Sequence, residues 1–195
     1  MKFVGLLETL MKKPITIAAI LLSFLSSSNA GSPQSHHKPS RDESTKAIRA
    51  TAYSMMKAFL TQDVATFKRL SAKRTLQLVS LTFEAAREDP QYKQELENAH
   101  ITNADQFLGY FLQGMANQYL QAVPLSPEAA ARRAANDSSV IFISDFEARI
   151  AAGNSEVARA RLVGKEWKID LTDWLKRGVL AEVKDPQMRA RIKSL

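Results

Sequence analysis

Cysteine is absent from the 195-residue sequence, which excludes disulfide cross-links, a thiol nucleophile and lipidation at a signal cut. Histidine is scarce. His36 and His37 are adjacent and only His100 could join them, too few ligands for a preorganised metal site and no catalytic dyad. A long hydrophobic run is missing too. The longest, residues 15–25, at about 1.5 Å per residue covers about half of a roughly 30 Å hydrocarbon core, so no stable transmembrane span is expected once it is removed. No phosphate-binding loop, zinc-protease helix or nucleophile elbow occurs. The formal charge is +7, but charges alternate in sign along most segments, without the basic stripe of a nucleic-acid binder.

What is present begins with an address. Met11-Lys12-Lys13 gives a positive region, residues 15–25 an apolar one, and Ser28-Asn29-Ala30 the small residues a signal peptidase requires. Residues 1–30 therefore read as a signal peptide cut after Ala30, with Met11 the better start. Its removal takes away three lysines and one glutamate, leaving 165 residues with 24 basic against 19 acidic, a mild +5. That length suits one domain. An exported chain without cysteine reads as a bacterial periplasmic or secreted protein with an ordinary apolar core.

Residues 31–43 are polar and carry Pro33 and Pro39, and are expected to form a disordered leader. From Ser44 the period is helical. Ile48, Ala52, Met55, Met56 and Phe59 share one face, Asp63 can cap a second short helix, and Leu76, Val79, Phe83 and Ala86 mark a third that stops before Pro90. Residues 90–101 are dense in charge and read as an exposed loop or frayed helix. Thr102 or Asn103 caps a long helix carrying Phe107, Leu108, Phe111, Met115 and Tyr119, and Ser126-Pro127-Glu128 opens a short one ending by Asn136. After Ser138 the period changes to two. Val140 to Ile143 reads as a buried strand, Phe146, Ala148 and Ile150 alternate with Glu147 and Arg149, and residues 157–162 and 167–171 complete a meander with one apolar and one charged face. Asp173 caps a last short turn, and residues 177–195 are a basic tail, read as a solvated helix.

Helices followed by a hairpin-connected sheet define an α+β class, with N-terminal helices packed on a C-terminal antiparallel meander. Residues 50–67 and the closing Val163-Gly164-Lys165-Glu166-Trp167-Lys168-Ile169-Asp170-Leu171 resemble the nuclear transport factor 2-like superfamily, with its ketosteroid-isomerase-like and SnoaL-like members, over residues 44–176. The resemblance implies a curved sheet closing a cystatin-like cone, with Phe59, Phe111, Met115, Phe142 and Trp167 lining or plugging its pocket. Such a cone serves catalysis, ligand binding or assembly, so the fold does not choose the function. An isomerase-like reaction would need a carboxylate base in an apolar pocket beside a hydroxyl donor. Asp145, in the strand region, and Tyr110 and Tyr119 on the long helix come nearest, and none matches a family motif, so no catalytic residue is assigned. No cofactor is expected. The reading is a non-enzymatic exported domain that binds a small apolar ligand or an envelope protein, with a homodimer through the sheet as a further partner. The alternatives are a SnoaL-like isomerase, hydrolase or dehydratase using an acid in the cone, and an accessory subunit of an envelope assembly.

Overall fold

A computed structural model describes residues 40–153 and 155–195. The expected signal peptide and the leader as far as residue 39 lie outside the described residues. Within them, six helices precede a four-stranded antiparallel sheet and two follow it. Helix α1 (Arg41–Leu60) starts before Ser44 because Ser40 forms a capping box with Glu43: its hydroxyl accepts from the Glu43 N–H at 3.1 Å, and the Glu43 carboxylate accepts from the Ser40 N–H at 2.7 Å. Residues 41–43 therefore belong to the fold and not to a leader. Helix α2 (Val64–Leu70) is capped by Asp63 as expected.

Helix α3 (Lys73–Glu88) ends before Pro90, and the charge-dense segment that follows is neither loop nor frayed. It forms α4 (Pro90–Asn98), with Asp89 as cap, Pro90 in the first turn and Leu96 buried. His100, at φ +55°, turns the chain out of α4, and the Ile101 N–H then bonds the Leu96 carbonyl at 2.8 Å. This is a Schellman closure. Helix α5 (Ala104–Ala122) is capped by Asn103 and α6 (Pro127–Asp137) by Ser126.

Strands β1 (Ser139–Phe142), β2 (Glu147–Ala152), β3 (Ser155–Val163) and β4 (Glu166–Asp170) pair in chain order. The β3–β4 turn uses Gly164 at φ +65°, a conformation that side-chain-bearing residues rarely adopt. Register places Phe142, Ala148, Ala160 and Ile169 in one row, and Ile141, Arg149, Arg159 and Asp170 in the next. Alternation thus sends alanines and Ile150, Trp167 and Ile169 inward, where they meet Ile48, Met55, Phe67, Phe107, Leu108 and Leu112 of the helices in the main apolar cluster. A bulge at Ile150/Ala151 shifts the register near the end of β2.

The two edges of the sheet differ. Beside β4, Ser71 forms a parallel bridge to Ile169 and the Ala72 N–H bonds the Ile169 carbonyl at 2.8 Å, so the α2–α3 junction closes that side. β1 has a strand neighbour on one side only. Beyond β4 the sequence reading is corrected twice. Instead of a short turn there is α7 (Thr172–Glu182), which runs through the expected domain boundary at 176, and the tail is α8 (Pro186–Ser194). Met188 and Ile192 are buried with Leu78, Leu175 and Val179 in a second cluster. Residues 177–195 are therefore packed and not a solvated tail.

Candidate functional site

The residues considered for catalysis do not meet. Asp145 lies exposed in the bend between β1 and β2, where the Ile143 and Ser144 N–H groups both bond the Glu147 carbonyl, at 2.9 and 3.0 Å. This tight reversal turns the Asp145 side chain to solvent. Tyr110 packs against the main cluster and Tyr119 against a third one around Leu60, Ala116, Ala130 and Ala131. Burial pushes the Tyr119 phenol up from its ordinary pKa. A carboxylate base in an apolar pocket beside a phenol is thus not assembled from these three.

The five side chains expected at a pocket all join the main cluster. Trp167 is buried and meets Phe142 edge to face at 6.4 Å, while Phe59, Phe111 and Met115 are half-buried against the same cluster. Among the described residues, surface clefts lie elsewhere, and none of the five lines either of the two considered next. One, of about 280 Å³, lies between the α3–α4 and α7–α8 junctions among Glu88, Asp89, Tyr92, Glu182 and Asp185. Asp89 and Asp185 are engaged as helix caps there. The Tyr92 hydroxyl donates to Glu182 at 3.3 Å, and burial together with that carboxylate pushes its pKa up to about 12. The other cleft lies along α3 beside Leu195.

One buried acid escaped the sequence reading. Asp170 ends β4 on the charged face, but α7 folds back over it. Its carboxylate accepts from the Thr75 hydroxyl at 3.3 Å and the Thr172 N–H at 3.0 Å, with Arg74 at 3.4 Å and Arg161 at 3.5 Å. Burial alone would raise its pKa. The hydrogen bonding from Thr172 and the charges of Arg74 and Arg161 outweigh that, and the group lies below the ordinary carboxylate value. Such a carboxylate is a poor proton acceptor and a good structural tie, joining α3, β3, β4 and α7. The strict alternation of 167–171 concealed it. The expected Asp173 cap does not form: Leu171 stands at the cap without a side-chain bond and Asp173 lies in the first turn, so the signal for the covering helix was that first-turn acid followed by apolar residues at helical spacing.

The rest of the charged face is self-satisfied. Arg159 meets Glu156 at 2.7 Å and Glu147 at 3.5 Å, Arg161 meets Glu147 at 3.3 Å, and Lys168 meets Glu166 at 2.6 Å. These are cross-strand and neighbour pairs on a wet surface, not an array of uncompensated cations.

What stays uncovered at the sheet's end is apolar. Among the described residues the large hydrophobic side chains left exposed are Ile141, Ile143, Phe146 and Val163, at 43, 55, 65 and 58%. They gather at one end of the sheet, where β1 ends, β2 begins and β3 turns into β4. The apolar run Val140 to Ile143 predicts a buried strand. The structure makes it an edge strand with Ile141 outward, and Phe146 stands outside β2 in the bend. Backbone geometry fixes which groups the edge presents. The Ile143 N–H bonds Glu147, and the Leu162 N–H bonds the Phe146 carbonyl at 2.9 Å. Glu147 and Arg149 therefore face β1, while Phe146 and Ala148 face β3. Phe142, opposite Ala148, and Val140 then direct their N–H and C=O away from the sheet. The edge carries no charge and no proline in residues 139–143, the devices that normally blunt an open strand.

No family model matches the chain, and no curated protein or solved structure matches it either. Among the described residues no helix is long and apolar enough to cross a membrane, and no group of three or more acidic or histidine side chains is placed to hold a metal.

Proposed function

We propose that this chain is an exported, periplasmic, non-enzymatic protein-interaction domain of the nuclear transport factor 2-like superfamily, its sheet shaped as that superfamily's cystatin-like cone. Its role is that of an accessory component of an envelope assembly, and its β1 edge is where another protein chain docks. The observation that carries this reading is the grouping of Ile141, Ile143, Phe146 and Val163 beside unpaired strand backbone, because an open apolar edge is a template for another chain. The small-ligand role ranks second, since Phe59, Phe111, Met115, Phe142 and Trp167 belong to the packed cluster. Export rests on the pattern of residues 11–30.

A photo-crosslinking residue in place of Ile143, expressed in cells, tests the reading. The expected result is a protein adduct well above the yield from the same probe at exposed Gln94, on a chain whose first residue is Gly31. Equal yields at the two positions, or an unprocessed chain held in the cytoplasm, would contradict it.

A further inference from the structure

We infer that the occupant of the β1 edge is a second copy of this chain, paired antiparallel about a twofold axis through Ile141. The inference rests on the edge being a docking surface, as proposed above, and adds what docks there. Val140 and Phe142 present the outward backbone groups, two residues apart. An antiparallel copy centred on Ile141 sets Val140 against the partner's Phe142 and Phe142 against the partner's Val140. Each of these pairs exchanges two backbone hydrogen bonds. Ile141 then opposes its own copy as a close non-hydrogen-bonded pair, and Ile143 lies across from the partner's Ser139 on the outer face. The contact is isologous and closes on itself as a dimer.

Charge permits this pairing. No charged residue lies at 139–143, so the paired strands themselves oppose no like charges, and the nearby Arg41 is held over the Phe142 ring at 5.9 Å. The nearest outward charge in the central row is Arg149, directly across from Ile141. Arg149 and its copy would stand three strand spacings apart, about 14 Å, beyond the roughly 8 Å screening length at physiological salt. The leader is a poorer occupant. Residues 31–39 contain Pro33 and Pro39 and no β-branched or aliphatic side chain, so they can neither complete the ladder nor cover the isoleucines. A strand of four residues buries less than the roughly 800 Å² per partner of a standard interface, so the dimer is weak and concentration-dependent.

The cysteine-free sequence makes the test clean. Ile141→Cys in the full purified chain is oxidised mildly, with Val163→Cys, more exposed but away from the axis, as the control. Paired copies hold the two Ile141→Cys thiols together, so self-cross-linking is expected about 100-fold faster than in the control, reflecting the effective concentration within a dimer. Sedimentation of the unmodified chain should show a monomer–dimer equilibrium that Ile141→Lys abolishes without changing the melting curve. Equal cross-linking rates, a monomer at every concentration, or Val140 and Phe142 amides protected from exchange in that monomer would overturn self-pairing. If the photo-crosslink at Ile143 yields only a heterologous adduct, docking at the edge stands and self-pairing falls. If it yields none above control, the docking reading itself fails.

Discussion

Single carboxylates hold separate parts of this fold together, and their acidity makes that measurable. Glu128, in the first turn of α6, accepts a hydrogen bond from the Tyr53 hydroxyl and pairs with Lys57 at 2.7 Å and Arg132 at 3.3 Å. The Lys57 ammonium, then Tyr53, hold its pKa down at about 2, from an ordinary 4.5. A depressed folded-state pKa contributes stability fully above the unfolded value and loses it as pH falls toward the folded one. Urea midpoints should therefore drop between about pH 4.5 and pH 2, more steeply in the parent chain than in Glu128→Gln. An identical slope in the variant would remove Glu128 from the account. Asp170, also depressed, adds to the acid end of the same window. Asp170→Asn leaves Arg74 and Arg161 facing a neutral amide. Breaking a fully buried pair costs about 3–5 kcal/mol, but each arginine side chain is about a third exposed, so a loss of about 2 kcal/mol is expected in urea denaturation.

Among the elements, α8 departs furthest from its sequence appearance. Only Met188 and Ile192 are buried along it, four residues apart, among basic neighbours. So sparse a stripe looks solvated until Leu78 and Leu175 supply the other half of the cluster. Ile192→Ala is expected to cost about 3 kcal/mol by chemical denaturation, and Lys193→Ala less than about 0.5 kcal/mol. Equal effects would return the helix to solvent. The elements that could be read directly carry local signals. Asn103 and the Ser126-Pro127-Glu128 start mark α5 and α6, and the alternation of residues 146–150 and 167–171, with the turn at Gly164, gives β2 and β4 to within two residues. Helix α4 was hidden because its anchors, Leu96 and half-buried Tyr92, are few among charges. The status of β1 was hidden for a different reason. A continuous apolar run is the same signature for a central strand and an edge strand, and only the order of the sheet separates them.

For the whole molecule, the inner face and the β1 edge of the sheet differ in what they leave exposed. The inner face of the sheet, where a resemblance placed the candidate site, is occupied by core contacts from Trp167 to Leu112. Among the described residues, the exposed large apolar side chains and an unpaired strand edge come together at β1, with Ile141, Ile143, Phe146 and Val163. None of the candidate site at this edge was legible in the sequence, because exposure there depends on which strand lies outermost. The α2–α3 junction seals β4 through Ser71 and Ala72, so association through the sheet has one open edge among the described residues. An open edge of this kind is expected to take on another chain, and hydrogen exchange of the β1 amides across a concentration series measures whether it does. Val140 and Phe142 are expected to exchange freely in dilute protein and to slow together as concentration rises, while Ile143, already bonded to Glu147, stays protected throughout. Exchange at Val140 and Phe142 that is independent of concentration would contradict docking at this edge.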